Sequence, residues 1–427
     1  KKYEIKKDFY RALGYYCTII RWTRLRRGFN LFENNSLIKK AKLRHDYLLK
    51  NYVWIKGKIP KISKENKLYL DYIKNNQDIT KDRYFGKKFS KKDFLEKLKK
   101  EMLILKKFNK EKRERGVLYI TWDLQRAFPI IFNLDKISQK YYLVIETNMC
   151  TIPDETFYSY INGKLDIILI LPDERDYIFF KKIKSNIVID KDLGSGNWTD
   201  TYIFINNADK KIYDFAFVGN ISQRKRHELF LKAISYLKEK RNIKVTLFNI
   251  SSKYKEYINN LIKKYNLQKI VEVYFKSNKR PLKHISKNKI FVHLSDREGQ
   301  CRSIGEALSL GLPVIINKNI KGENLKYINK KTGVLSDDDE LPEKMIYMLE
   351  NYKKFRPREW KLKNANHILS TNKLNKILKD IAKKRKHTWT KDIITHTFDN
   401  DIRYLKEEDK KIFDKEYELL LNYLRRY

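Results

Sequence analysis

The sequence predicts an α/β protein with two domains built on largely parallel sheets and with additional helices at both ends of the chain. Three observations predict this fold class. The chain has 427 residues, which is too long for one simple core. Hydrophobic residues make up 42% of the sequence, enough to fill two cores. From residue 117 onwards, short β-branched and aromatic runs are followed by segments in which such runs alternate with helical periodicity.

Residues 1–116 are expected to form an N-terminal helical extension. Apolar residues recur at helical spacing in the segments 8–27, 36–54, 64–75 and 91–112. The last segment has the clearest apolar stripe, which consists of Phe94, Leu98, Met102, Leu105 and Phe108. Aromatic residues between 10 and 54 are interleaved with Lys and Arg. They fit an ordinary helical core or, alternatively, a surface that stacks on bases or lies at a lipid interface.

Residues 117–210 predict a first, short α/β domain. Its expected strands are the apolar runs at 117–121, 141–146, 165–171, 186–190 and 201–206. Runs of this kind are typical of a buried, largely parallel sheet. The segment is short for a complete domain, so we expect the helical extension to pack on it.

Residues 211–350 predict a second domain in which strands and helices alternate regularly. The expected strands lie at 214–219, 243–250, 271–275, 289–295 and 312–317. This order is typical of a doubly wound sheet, and such sheets bind ligands outside the carboxyl ends of their strands. Residues 351–427 predict C-terminal helices that partly cross back to the first domain.

The formal net charge of +42 predicts an anionic partner. An anionic membrane surface, an anionic polymer and nucleic acid are the candidates. Lysines are spread along the whole chain, so a compositional drift towards Lys explains part of the excess. The sequence does not indicate an oligomeric state.

Neither the cysteines nor the acidic residues predict a metal site. Cys17, Cys150 and Cys301 are far apart and form no Cys-x-x-Cys pair. The acidic run 337–340 precedes Pro342 and indicates the start of a helix. No stretch approaches the ~18 consecutive apolar residues of a membrane span. The expected location is the cytoplasm, with attachment to a membrane surface as an option.

The strongest motif is SDREGQCRSIGEALSLGLPVI at 295–315. Glu298 lies in a Gly-containing loop after a strand, and Glu306 follows in the first turn of the next helix. The free amides and the positive dipole end of that helix suit a diphosphate, and Gly299 lets the backbone approach it closely. The two carboxylates are suited to accept hydrogen bonds from sugar hydroxyls. The alternative is a capped amphipathic helix with no ligand.

The second motif is FVGNISQRKRHELFLKAI at 217–234. A strand ends at Gly219, a turn carries Arg224, Lys225 and Arg226, and a helix begins with Ser222 as the expected N-cap. Basic residues at such a junction can clamp a diphosphate from the side opposite the first motif. The alternative is a group of solvated basic residues.

Together the two motifs closely resemble family 4 of the glycosyltransferases, a retaining group with the GT-B fold. The resemblance covers about 213–350 and implies two Rossmann-like domains that face a cleft. Gly219 and Lys225 match the family pattern, whereas Asn220 stands where the family has Arg. By this resemblance, Glu306 binds the donor ribose and Glu298 contacts the transferred sugar. The other implied donor contacts are made by Gly219, Asn220, Gly299, Gln300, Cys301, Arg302 and Ser303.

The resemblance also implies a mechanism that needs no cofactor, no metal and no protein nucleophile. Lys225, Arg224 and the helix amides would stabilise the leaving nucleoside diphosphate, and Glu298 would orient and stabilise the sugar. The substrate would be a nucleotide sugar such as a UDP- or GDP-sugar. The nucleotide base is expected near Asn249–Ser252 and Lys276–Asn278.

The first α/β domain departs from this family. No Gly-rich loop follows its first strand, and all seven histidines fall outside 117–206. Four polar residues just after strand ends are the candidates for acceptor-side contacts, and they are Asp123, Arg126, Asn148 and Asp173. Each could instead be an ordinary loop residue or helix cap.

The leading hypothesis is a retaining hexosyltransferase that acts on a glycan, a lipid-linked glycan or another surface polymer. One alternative, suggested by the charge, is a protein that binds or glycosylates nucleic acid. Another, suggested by Asn220 and the atypical first domain, is a catalytically inactive GT-B scaffold.

Overall fold

The fold comes from a computed structural model. It describes residues 90–121, 124–147, 160, 164–171, 177, 180–181, 186–194, 196–205, 210–276, 281–299, 301–322, 325–398 and 402–424. The helices predicted at 8–27, 36–54 and 64–75, and the aromatic residues between 10 and 54, lie outside the described residues.

The chain divides into two compact units. The first contains the described residues up to Asp190, together with Ile381–Lys391 and 411–424. The second contains Lys191–Asp380 and Asp392–Lys410. The domain boundaries predicted at 116, 210 and 350 concern functional domains and stay a prediction.

The first unit is built on a five-stranded sheet in the order β1-β2-β3-β4-β5. Its strands are β1 (Met102–Lys106), β2 (Gly116–Thr121), β3 (Tyr141–Glu146), β4 (Ile167–Ile170) and β5 (Ile187–Asp190). The last four are parallel, and β1 joins the edge antiparallel to β2. The described helices before and between them are α1 (Lys91–Glu101), α2 (Leu124–Ile131) and α3 (Leu134–Ser138).

The helix predicted over 91–112 is wrong in its second half. Helix α1 begins after Ser90, whose hydroxyl accepts a hydrogen bond from the Asp93 amide, and it ends at Glu101. Residues Met102–Lys106 form β1 and are all buried. A helix buries one stripe, whereas an edge strand packed on both faces buries successive residues. Pairing with β2 therefore outweighed the helical spacing of Met102 and Leu105.

The second unit is built on a six-stranded parallel sheet in the order β11-β10-β9-β6-β7-β8. Its strands are β6 (Tyr213–Val218), β7 (Val245–Ile250), β8 (Val271–Phe275), β9 (Asn288–His293), β10 (Val314–Asn317) and β11 (Gly333–Ser336). The described helices that follow them are α4 (His227–Lys238), α5 (Lys255–Lys264), α6 (Leu282–Ile285), α7 (Arg302–Ser309) and α8 (Leu341–Asn351). Chain order reverses between β6 and β9, and this reversal is where doubly wound sheets bind ligands.

The strand predicted at 201–206 is absent, because residues 201–204 form a turn. The Asp200 carboxylate accepts hydrogen bonds from the amides of Tyr202 and Ile203. This local capping competes with sheet pairing and holds the chain in a turn. Phe204 is buried, while Tyr202 and Ile203 are exposed.

Residues 351–398 and 402–424 contain the helices that the sequence predicts, α9 (Pro357–Asn364), α10 (His367–Lys384) and α11 (Glu407–Leu420). The prediction missed a short hairpin, β12 (His396–Phe398) with β13 (Ile402–Tyr404). The Phe398 amide and the Thr397 hydroxyl both donate to the Trp198 carbonyl, at 3.1 and 2.6 Å. Three-residue strands carry too little periodicity to be recognised in a sequence.

None of the helices in the described part of the chain combines the length and the apolar composition needed to cross a membrane.

Candidate donor site at the switch point of the second sheet

The two sequence motifs meet at the carboxyl ends of β6 and β9. The loop after β6 carries Arg224, whose carbonyl accepts hydrogen bonds from the Asp296 amide at 3.2 Å and the Ser295 hydroxyl at 3.3 Å. Ser295 and Asp296 belong to the loop after β9. Adjacent parallel strands bring these loops together, although 70 residues separate Arg224 from Leu294 in the chain.

Lys225 and Glu298 form an ion pair at this junction. The Lys225 Nζ donates a hydrogen bond to Glu298 Oε1. Both side chains are largely buried, with 16% and 11% of their surface exposed. The sequence predicts that both residues bind the donor. In the structure their side chains bind each other.

His293, the last residue of β9, completes this cluster. Its Nε2 lies 3.4 Å from Glu298 Oε1, a distance that suits an ion pair when the ring is protonated. Nε2 is not aligned for a well-formed hydrogen bond to any atom of the described residues. His293 was not among the residues predicted for the site, because a histidine was expected only in the first domain. A polar residue at the end of an otherwise apolar strand was the available signal.

The cluster shifts the protonation of its members. Burial raises the pKa of Glu298, but the interactions with His293 and Lys225 outweigh it and hold that pKa well below its usual range. Burial lowers the pKa of His293, while the neighbouring Cys301 and Glu298 raise it to about 9. The Glu298–His293 pair therefore stabilises the fold fully at pH values between the ordinary pKa of Glu and the ordinary pKa of His. The His293 contribution is lost as the pH rises through about 9, and the Glu298 contribution is lost in strong acid.

Backbone contacts fix the loop that carries Glu298. The Glu298 amide donates to the Lys321 carbonyl at 2.8 Å, and the Lys321 amide donates to the Asp296 carbonyl at 3.0 Å. Gly322 follows with φ +78°, and a Cβ atom on it would overlap the Glu298 carbonyl oxygen. Gly322 is thus a supporting residue that the sequence motifs did not reveal, since it lies in a separate loop.

The turn after β6 differs from its prediction in one respect. Ser222 does not cap α4, because a short 3₁₀ turn at Gln223–Lys225 intervenes and Arg226 takes the N-cap position with φ 61°. The Arg226 guanidinium donates to Asp338 in the acidic run 337–340. Arg226 is therefore engaged away from Glu298, while Lys225 is directed to it.

Asn220 links the turn after β6 to the loop after β7. Its Oδ1 accepts hydrogen bonds from the amides of Ile221 and Ser251, both at 3.0 Å. Ser251 lies within the predicted base-binding segment Asn249–Ser252, and Asn249 adopts φ 65°. The His227 ring meets the Gly219 carbonyl at 3.0 Å from the other side. The residue that replaces the family's Arg thus connects two loops.

Helix α7 begins beside Glu298, with Cys301 as its N-cap. The Cys301 Sγ lies 2.9 Å from the Ser303 hydroxyl, and the Arg302 guanidinium lies 6.0 Å from the centre of the Phe398 ring. Glu306 is the fifth helical residue, so it lies in the second turn and not, as predicted, in the first. Gly299 is described and partly buried, whereas Gln300 lies outside the described residues.

Gly305 lets α7 approach the segment 196–199, which pairs with the β12 hairpin. A Cβ atom there would overlap the Gly196 carbonyl oxygen and lie 2.7 Å from the Thr199 hydroxyl. Gly305→Ala should therefore lower the free energy of unfolding by about 1–3 kcal/mol, although alanine normally stabilises helix interiors. Chemical denaturation measures this, with Asn260→Ala on the exposed side of α5 as the control expected to be neutral or stabilising. A stabilised Gly305→Ala variant would contradict this close packing.

The predicted acceptor-side residues are only partly within the described structure. Asp123, Asn148 and Asp173 lie outside the described residues, and for Arg126 the structure describes only its place in α2. Nearby described groups at strand ends include Glu146, which accepts a hydrogen bond from the Tyr119 hydroxyl at 2.8 Å. The four acceptor-side assignments stay predictions.

Within the described ranges, one group has the composition of a metal site. The ligand atoms of His293, Glu298 and Cys301 lie within 4.8 Å of one another. Lys225 already binds the same carboxylate, and its ammonium would repel a divalent cation placed there. The group is therefore better described as an ion-paired cluster.

Residues 199–366, which contain this whole site, match the sequence family described as Glycosyl transferases group 1. The matched segment is less than half of the chain and includes β6 to β11, α7 and α9. Comparison with curated protein sequences finds no match.

Solved structures resemble the chain at low sequence identity. A glycosyltransferase from Rickettsia africae ESF-5 aligns with a TM-score of 0.50 and 16% identity, over 83% of this chain and 89% of that one. HepE of Anabaena, solved with UDP, aligns with a TM-score of 0.49 and 13% identity, over 61% and 78%. A TarM mutant from S. aureus, solved with UDP, α-GlcNAc-glycerol and fondaparinux, aligns with a TM-score of 0.46 and 20% identity. That alignment covers 62% of this chain and about half, 55%, of TarM.

The two largely parallel sheets and the alignment with the Rickettsia africae structure confirm the predicted α/β class and the GT-B fold. The chain thus has the fold of GT-B glycosyltransferases, and its residues 199–366 match the group 1 glycosyl transferases.

Proposed function

We propose that this protein is a retaining glycosyltransferase that transfers a hexose from a nucleotide sugar to a glycan, a lipid-linked glycan or another surface polymer. The observation that carries the proposal is the meeting of Lys225 and Glu298 at the switch point of a sheet within the group 1 segment. This is where a doubly wound sheet binds a phosphorylated ligand. The resemblance to family 4 supports the retaining outcome.

In the proposed reaction, the donor diphosphate lies between the Lys225 turn and the N-terminus of α7. Positive charge from Lys225 and Arg224 and the positive dipole end of α7 stabilise the departing nucleoside diphosphate. The acceptor hydroxyl attacks on the face that the diphosphate leaves, and its proton goes to the leaving phosphate oxygen. Glu298 orients the sugar and stabilises its positive charge, and no metal is required.

The same proposal includes an anionic partner for this strongly basic chain. An anionic acceptor polymer or an anionic membrane surface, at the cytoplasmic side, would be attracted by a chain with a net charge of +42. Asp123, Arg126, Asn148 and Asp173 are the residues that we propose for the acceptor side.

Nucleotide binding tests the proposal directly. We expect one nucleotide among UDP, GDP and ADP, with its sugar derivatives, to raise the thermal unfolding temperature of the full chain. Release of the same nucleoside diphosphate from the nucleotide sugar should follow when an acceptor is supplied. If no member of the panel binds and none is turned over, the protein is an inactive relative and the proposal fails.

Glu306→Ala should weaken binding of the donor nucleotide about 10- to 100-fold, because a charged acceptor of the ribose hydroxyls is lost. Calorimetric titration with the nucleotide found above measures this loss. Glu359→Ala, which removes an exposed carboxylate from the neighbouring helix α9, is the control and should bind as the unmodified protein does. Unchanged affinity in Glu306→Ala would show that the ribose lies elsewhere.

A further inference from the structure

The principal cation of the proposed site is bound to an anion of the same chain. The Lys225 ammonium is bound to the Glu298 carboxylate, and both side chains are largely shielded from water. A donor diphosphate bound at the proposed position needs the same ammonium. Lys225 must therefore turn, wholly or in part, from the carboxylate to the diphosphate.

This transfer would leave Glu298 poorly compensated. A buried carboxylate that loses its ion partner is strongly destabilised, since neither water nor another charge replaces the partner. The loop contacts through Lys321 and Gly322 hold the Glu298 backbone in place, and only 11% of the Glu298 side chain is exposed to solvent. The carboxylate therefore needs a second positive group within ion-pair distance.

His293 meets this requirement by position. It ends β9, the central strand at the switch point, and is 1% exposed. Its Nε2 lies 3.4 Å from Glu298 Oε1, and its Nδ1 lies 3.9 Å from Cys301 Sγ at the start of α7. The ring thus connects the carboxylate to the N-cap residue of the helix whose N-terminus is proposed to bind the diphosphate.

We propose that His293 is a positioning residue that keeps the Glu298 carboxylate charged and in place when Lys225 turns to the donor diphosphate. The inference rests on the proposed function, because it assumes that a diphosphate binds at Lys225. It assigns a different partner to each of two cations. Lys225 binds the leaving diphosphate, and His293 pairs with the Glu298 carboxylate.

The charge of His293 gives the inference a pH dependence. The titratable and charged groups that face the ring are Glu298, Lys225 and Cys301. With a pKa of about 9, the ring is an imidazolium at neutral pH and loses its charge as the pH rises through that value. Affinity for a nucleoside diphosphate should therefore be full at pH 7 and fall above about pH 9.

The test uses the full chain with UDP, GDP and ADP as probes in calorimetric titrations between pH 7 and 10. His293→Leu should weaken binding of the nucleotide that the unmodified protein prefers about 10- to 100-fold at pH 7. The loss of affinity near pH 9 should disappear in the variant. In turnover assays the donor KM should rise more than kcat falls. His293→Gln keeps a hydrogen-bond donor but carries no charge, so its nucleotide affinity should lie between those of the unmodified protein and His293→Leu.

Lys289→Met is the matched control, because Lys289 lies at the other end of the same strand and pairs with Asp214 at 2.7 Å. It should not change nucleotide affinity. Histidine NMR on the unmodified protein gives an independent reading: the His293 ring should remain protonated to about pH 9, and Glu298→Gln should lower its pKa. This measurement decides the matter even if His293→Leu does not fold.

The outcomes separate the inference from the proposed function. If the unmodified protein binds a nucleotide but both His293 variants bind it equally well, the inference is overturned and the function stands. A His293 ring that is neutral at pH 7 would also overturn it. If no nucleotide binds the unmodified protein, the proposed function itself fails, and this inference fails with it.

Discussion

Lys225→Met is expected to reduce sugar transfer by about 10²- to 10³-fold, the cost of removing one preorganised charge from a developing anion. The variant loses the cation proposed to stabilise the departing diphosphate. It also removes the hydrogen bond to Glu298 and leaves that carboxylate with His293 alone. Both effects act on the transition state, so kcat should fall as well as donor affinity.

The measurement is the rate of nucleoside diphosphate release under saturating donor. Lys232→Met, on the exposed face of the next helix α4, removes an equal charge and should retain full activity. Lys225→Arg should recover part of the activity, because the charge is kept while the geometry at the carboxylate changes. A Lys225→Met variant with more than half of the original rate would contradict the proposed role of Lys225 in stabilising the diphosphate.

Gly322→Ala is expected to cause the second largest loss, although Gly322 contacts no proposed ligand. Its φ of +78° disfavours any side chain, and the new Cβ atom would overlap the Glu298 carbonyl oxygen. Relief of this overlap must move the Glu298 loop. A displacement of about 1 Å at a reacting group can cost about 100-fold in rate. We therefore expect a loss of roughly that size, with a free energy of unfolding lower by about 1–3 kcal/mol.

Gly311→Ala separates the two causes. Gly311 has a similar φ of +76°, but the atom nearest to its Cβ position is 4.0 Å away. It should share the backbone strain and lower the free energy of unfolding, while the rate of sugar transfer per folded molecule stays unchanged. Equal activity losses in the two variants would attribute the effect to strain and not to the position of Glu298.

The second sheet was largely predictable from the sequence. Strands β6, β7, β8, β9 and β10 coincide with apolar runs bounded by turns and helices. Except in the edge strand β8, most residues of these runs are buried in a parallel sheet, so the runs are largely apolar and their ends are marked. The errors fall where hydrogen bonding outweighs apolar periodicity: β1 pairs with the next strand, β2, and residues 201–204 are held in a turn by the adjacent Asp200.

The positions of the proposed site residues in the fold were predictable from the sequence, but the contacts between them were not. Lys225 and Glu298 were each assigned to the donor from their places after strands, and the structure confirms those places. That they bind each other depends on the strand order β9-β6, which joins segments distant in the chain. His293 and Gly322 carry no motif, and their importance follows from distances to Glu298. Such distances cannot be obtained from spacing along the chain.

The pairing of Lys225 with Glu298 also bears on which anions can compete for Lys225. A chain with a net charge of +42 attracts anions of every kind over most of its surface. At this junction the cation is already neutralised by a tethered carboxylate, and a competing anion must displace it. Chloride carries a single charge and has no oxygens that could bridge to amide donors, whereas a diphosphate offers more charge and several oxygens. We therefore expect this ion pair to disfavour the binding of weak anions at Lys225 and to favour the donor diphosphate.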